Sequence, residues 1–140
     1  MKKAGFTLIE LMIVVVIIVA LASMVVPRLS GRTEQAKKAV AKADISSNIA
    51  MALKLYELDN GNFPTTEQGL AALKKKPASP PVPANWKSPY IKKMPKDPWG
   101  APYVYVSPGA INTQDYDLSS YGPDGIESSD DITNWEEEEE

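Results

Sequence analysis

The chain has no cysteine and no histidine in 140 residues. Without cysteine there is no disulfide framework. A small domain outside the cytoplasm must then be held by a metal, by oligomerisation or by a docked tail. Without histidine there is no Ser-His-Asp or Cys-His catalysis, few zinc sites and no ordinary pH switch near neutrality. The chain is not expected to be an enzyme. Nor is there a basic block interleaved with aromatics, so no nucleic acid is expected as a partner. Net charge is −3, and because residues 136–140 are all glutamate the rest of the chain is net positive by two.

What is present begins with one long apolar run. Residues 6–26 read FTLIELMIVVVIIVALASMVV, whose polar members are Thr7, Glu10 and Ser23. At a helical rise of about 1.5 Å per residue this run reaches roughly 30 Å, the thickness of a bilayer's hydrocarbon core. It is long for the apolar region of a secretory signal, and no small-x-small cleavage site follows it. Lys2 and Lys3 before it and a polar segment after it predict a single-pass membrane span with a cytoplasmic N-terminus.

Glu10 stands out, because a carboxylate at the bilayer centre costs roughly 2.5 to 3.5 kcal/mol. One reading has it sit shallow and snorkel to the headgroups. The other starts from Gly5-Phe6. A cut there would create an α-ammonium at Phe6, one helical turn from Glu10 and within reach of the Glu10 of a second copy.

The pattern Lys-x-x-Gly5-Phe6-Thr7-Leu8-Ile9-Glu10, then the apolar run and Pro27, resembles the N-terminus of type IV prepilins and type II secretion pseudopilins. The resemblance implies cleavage after Gly5 by a prepilin peptidase and N-methylation of the new terminal Phe6. It also implies pairing of Glu10 with a neighbouring subunit's amine during filament assembly.

Pro27 is expected to bend the run or end it. From about Thr33 to Leu58, Ala36, Val40, Ala43, Ile45, Ile49, Ala52, Leu53 and Tyr56 recur at helical steps, with Lys37, Lys38, Lys42 and Lys54 largely on other faces. That is an amphipathic helix with one face for a core. Asp59-Asn60-Gly61-Asn62 should stop it, with Gly61 left-handed. Thr65 and Gln68 fit a capping box that opens a short second helix, turning Leu70 and Leu73 inward. Lys74-Lys75-Lys76 suits that helix's negative end.

Residues 77–89 (PASPPVPANWKSP) should run extended over the surface, anchored by Trp86. Lys96-Asp97-Pro98-Trp99-Gly100 reads as a turn with an aromatic to bury. Residues 103–106 and 115–120 read as antiparallel partners in a small sheet that must lean on the long helix.

YELDNGNFPTTEQGL (residues 56–70), PKDPWG (95–100) and Ser107-Pro108-Gly109 sharpen the resemblance to the major pseudopilins of type II secretion. Major type IV pilins share the N-terminus but usually close their C-terminal region with a disulfide, which is impossible here.

The last motif is acidic. Residues 121–132 read YGPDGIESSDDI, where three aspartates, Glu127, Ser128 and free carbonyls could offer the six to eight oxygens that Ca²⁺ prefers. The EF-hand spacing is absent, and a solvated acidic loop is the simpler account from spacing alone. Against it, adjacent Asp130 and Asp131 would repel each other without a cation, and no cysteine can staple the domain. The resemblance implies a calcium site with side-chain ligands at Asp124, Asp130 and Asp131 and main-chain oxygens from Tyr121 and Ser128. The chain departs from the family in having Tyr121 where an aliphatic is common. Its segment between Gly125 and Asp130 is one residue shorter than in some members.

The expected fold is α+β: a long N-terminal helix, its first half transmembrane, packed against a short helix and a small antiparallel sheet with a C-terminal calcium loop. The expected organisation is a leader at 1–5, a membrane and filament-core helix at 6–27 and a periplasmic domain at 28–140. Within that domain an amphipathic helix spans 28–59, a globular part 60–135 and an acidic tail 136–140. The tail reads as solvated, as charge for a partner's basic surface or as an added sequence.

The implied function is a structural subunit of the pseudopilus. It would polymerise with copies of itself and with minor pseudopilins, served by the prepilin peptidase and an inner-membrane assembly platform, to drive export of folded proteins. Two alternatives stand beside it: a type IV pilin of a surface fibre, and a monomeric membrane-anchored calcium-binding module.

Overall fold

The computed structural model of the chain describes residues 5–87 and 89–135, and the side chains of 25–30 also fall outside the described set. The lysines of the expected leader and the glutamate tail therefore lie outside the described residues. Two compact units, 1–36 and 37–140, divide the chain, with the boundary inside the first helix.

That helix, α1, runs Leu8–Ala43 over 36 residues. It is continuous through position 27, so Pro27 does not end it. A proline removes one backbone donor, and a long helix tolerates that loss. In the first unit every large apolar side chain described, from Phe6 (84% exposed) to Met24 (74%), faces outward. Among the described residues no helix is long and apolar enough to cross a membrane. The sequence run continues to Val26, whose side chain is not among them.

In the second unit the expected single helix is interrupted. A π-helical segment, Asp44–Asn48, separates α1 from α2, Ile49–Asn60. The wider π turn shifts the buried face. Ala41, Ile45, Ile49, Ala52, Leu53 and Tyr56 are buried, whereas Val40 and Ala43, predicted inward from a constant 3.6 period, are exposed. The Tyr103 hydroxyl donates to Asp44 Oδ2 at 2.9 Å, which ties the first residue of the π segment to the sheet side of the domain.

Gly61 ends α2 as expected, at φ 83°, with its N–H donating to the Glu57 carbonyl at 2.7 Å. The Thr65/Gln68 capping box also forms: the Gln68 N–H reaches Thr65 Oγ1 (3.3 Å) and the Thr65 N–H reaches Gln68 Oε1 (3.2 Å). It opens a turn and then a single 3₁₀ turn, Leu70–Leu73, rather than a full helix. Leu70 and Leu73 are buried all the same. Trp86 anchors the proline-rich stretch, donating its indole N–H to the Ala72 carbonyl at 2.9 Å and meeting Tyr90 edge-on.

The sheet has three antiparallel strands in the order β1 (Val104–Val106), β2 (Asp117–Ser120), β3 (Ile132–Thr133). Tyr105 faces Leu118 across β1 and β2, and Ser120 faces Ile132 across β2 and β3. Two residues are too few to show alternation, so β3 has no signature in the sequence. Asn134 lengthens the pairing: its N–H donates to the Leu118 carbonyl, its Oδ1 accepts from the Leu118 N–H and its Nδ2 donates to the Tyr116 carbonyl. The buried residues of α2 and of the 3₁₀ turn form one cluster with Tyr103, Tyr105, Tyr116 and Leu118.

Candidate metal centre and N-terminal carboxylate

The acidic loop leaves β2 at Ser120 and returns to the sheet at Ile132. Its base is fixed by a buried relay. Ser120, fully buried, donates its hydroxyl to Asp97 Oδ2 at 2.7 Å and accepts from the Gly122 N–H at 3.2 Å. Asp97 Oδ1 in turn accepts from the Trp99 and Ala101 N–H groups. Asp97 is the fully buried residue of that turn, while Trp99, expected to be buried, is partly so and lies 6.0 Å under the Lys37 ammonium.

Within the loop, Asp124, Asp130 and Asp131 come together, with one carboxylate oxygen from each lying within 4.8 Å of the others. Two oxygens on one Ca²⁺ ion, each 2.3 to 2.6 Å from it, can be at most about 5 Å apart, so the three carboxylates fit a single calcium ion. Ser128 stands among them. Its hydroxyl lies 3.2 Å from Asp124 Oδ2, at short hydrogen-bond distance from Asp130 Oδ1 and 3.5 Å from Asp131 Oδ1. One hydroxyl carries one proton, so it can donate to one carboxylate at a time. Backbone N–H groups serve the other two, Ile126 to Asp124 Oδ1 and Ser128 to Asp131 Oδ1, both at 3.2 Å, but these neutral donors do not cancel three negative charges.

Ser128 was expected to contribute its main-chain oxygen. That carbonyl accepts from the Asp131 N–H (3.3 Å), and the side chain is what sits among the acids. Tyr121 is half-buried at the end of β2. Glu127, on an exposed part of the loop, is not in the cluster.

A further cation approaches from α1. Lys38 Nζ lies 3.8 Å from Asp130 Oδ2, a pairing that no spacing in the sequence could reveal. The Ser128 hydroxyl, with help from Lys38, holds the Asp130 carboxyl below the usual carboxylate range.

At the other end of the chain Gly5 and Phe6 precede α1 and are exposed, so the Gly5-Phe6 bond lies outside any helix. Thr7 forms a capping box with Glu10. The Thr7 N–H and hydroxyl both donate to Glu10 Oε2 at 2.8 Å, and the Glu10 N–H donates to Thr7 Oγ1 at 3.3 Å. The S/T-x-x-E spacing of a capping box is present in the sequence at Thr7 and Glu10. Glu10 is therefore satisfied within its own helix, which is a third outcome beside snorkelling and pairing with a neighbour.

Comparison with known proteins matches both ends of this description. A family model described as Type II secretion system (T2SS), protein G, matches residues 28–135, and one for the prokaryotic N-terminal methylation motif matches residues 1–26. The chain is 51% identical over 140 residues to the type II secretion system core protein G of Pseudomonas aeruginosa, covering 96% of each. It is 52% identical over 136 residues to the core protein G of Escherichia coli strain K12, covering 96% of this chain and 92% of that one. The crystal structure of the major pseudopilin from the type 2 secretion system of enterohaemorrhagic Escherichia coli superposes with a TM-score of 0.69 at 40% identity, covering 76% of this chain and 89% of that chain. The fold is thus pilin-like α+β, and the relatives belong to a family of structural subunits rather than of enzymes. With the stem motif and the domain both matched, the chain belongs to the protein G family of type II secretion systems.

Proposed function

We propose that the chain is a structural subunit of a periplasmic pseudopilus, held in the inner membrane by residues 6–26 until it polymerises and helps drive folded proteins outward. The observation that carries this reading is the first unit itself. Its described apolar side chains, Phe6 through Met24, have no protein partner in the single chain and are 48–84% exposed. A surface of that kind is stable only against lipid or against other copies of the same helix. Trimming after Gly5 would add an ammonium at Phe6, and Glu10 of a neighbour could exchange its Thr7 donors for it. Minor pseudopilins, the prepilin peptidase and an assembly platform would be the partners of such a subunit.

Intact mass of the membrane-extracted protein tests this. Loss of the first five residues plus one methyl group is expected, and an untrimmed mass would refute it. A Glu10→Ala chain should be trimmed normally yet fail to polymerise.

Calcium completes the proposal. Asp124, Asp130 and Asp131, with oxygens of Ser128 and Tyr121, would hold the ion. Bound there, Ca²⁺ supplies charge compensation that one hydroxyl proton and one exposed lysine do not, and it pins the segment that leads into β3. The full chain in detergent should melt several degrees higher in excess calcium than in chelator. An unchanged melting point would remove the calcium site.

A further inference from the structure

The calcium reading leaves one nearby group without a role. Lys38 reaches Asp130 from α1, across an open groove walled by Lys38, Lys42 and Ile45 on one side and by residues 129–135 on the other. It is the cation paired with the cluster among the described residues. Both side chains of the pair are a little over two-fifths exposed (44% and 43%), so the contact can break without burying a charge.

We propose that the Lys38 ammonium is the resident counter-cation of the acidic loop, a competitor that calcium must displace from Asp130, and that it thereby sets the calcium concentration at which the loop becomes occupied. This rests on the calcium reading and specifies its affinity.

Asp130 faces Ser128 at one oxygen, Oδ1, and Lys38 at the other, Oδ2. An ion drawing Asp130 toward Asp124 and Asp131 must work against the Lys38 pair. Where the pair survives, the ion also feels a positive charge a few ångströms away. Both effects weaken binding. In the ion-free chain the sign is opposite, because the same ammonium offsets repulsion among three carboxylates whose partners within the loop are neutral N–H and O–H donors. Lys38 therefore stabilises the empty loop and opposes the filled one.

Calcium alone, titrated calorimetrically into the full chain in detergent, tests this with Lys38→Met, which keeps the apolar stem, and Lys38→Arg, which keeps the charge. Lys38→Met should bind calcium about 3- to 10-fold more tightly at low salt, with the difference shrinking as salt screens the exposed pair. Its ion-free form should melt lower than wild type, so the shift that calcium produces widens. Lys38→Arg should stay near wild type.

Equal affinities for wild type and Lys38→Met, or weaker binding by the methionine variant, would overturn the proposal while leaving the calcium site standing. No uptake by either chain would overturn both. Circular dichroism of each variant confirms that the helix is retained, so a changed affinity cannot be confused with misfolding.

Discussion

Two buried carboxylates, Asp97 and Asp117, hold the turns on either side of β1, and neither belongs to the candidate metal centre. Asp117 accepts three backbone N–H groups, from Ala110 and Ile111 at Oδ2 (2.7 and 2.9 Å) and from Asn112 at Oδ1 (2.9 Å). A period-2 reading marks Asp117 as a strand residue and says nothing of where its carboxylate turns. The same holds for Asp97, whose value lies in contacts with Ser120, 23 residues away. Single residues with distant partners are the least legible part of any sequence. The space around Asp117 makes a local prediction. A Cβ at Gly109 would sit 2.6 Å from Asp117 Oδ1 and 2.7 Å from the Asn112 carbonyl, so something must shift. Gly109→Ala should lower stability by about 1–3 kcal/mol, read as a lower denaturant midpoint.

The elements divide between those that announce themselves locally and those that do not. The stop at Gly61 and the Thr65/Gln68 capping box were visible because each needs specific residue types at fixed short spacings. The π segment was not, because the short polar residues of Asp44–Asn48 (DISSN) weaken a helix without specifying a π turn. What selects it is tertiary: burial of Ile45 and Ile49 together with the Tyr103–Asp44 hydrogen bond. In the acidic loop the three aspartates could be named from the sequence alone, whereas Lys38 and the hydroxyl of Ser128 depend on how the loop folds back. Gln68 shows how one element holds another. Buried at 8% exposure, it donates from Nε2 to the Ser79 and Pro81 carbonyls (2.9 and 3.1 Å) while Oε1 serves the capping box. A carboxylate cannot donate to those carbonyls. Gln68→Glu should therefore cost about 1–3 kcal/mol at neutral pH, detectable as a fall in melting temperature.

For the whole molecule, the missing histidine predicts how stability depends on pH. Lys87 and Tyr90 beside Asp59 hold its carboxyl below the usual range. A depressed carboxylate contributes stability above its unfolded value, and that contribution is lost as pH falls through the lower folded one. On the alkaline side, burial pushes Tyr116 up to about 12 and raises Tyr103 and Tyr105 as well. Raised tyrosines contribute fully below their unfolded value and lose that contribution as pH climbs through the folded one. No side chain of ordinary pKa titrates between these limits, so the melting temperature should be flat from about pH 5 to about pH 9 and fall on both sides. A step between pH 6 and 8 would contradict this account.

The shortness of β3 has a consequence of its own. Two paired residues and the Asn134 side chain are what flank β2 on that side, and they follow directly on Asp130 and Asp131. A protease that clipped the chain after Asp131 would remove the flank and leave the open edge of β2 as a template for strand addition. Whatever keeps the acidic loop closed thus also guards the subunit against sticking to the wrong neighbour.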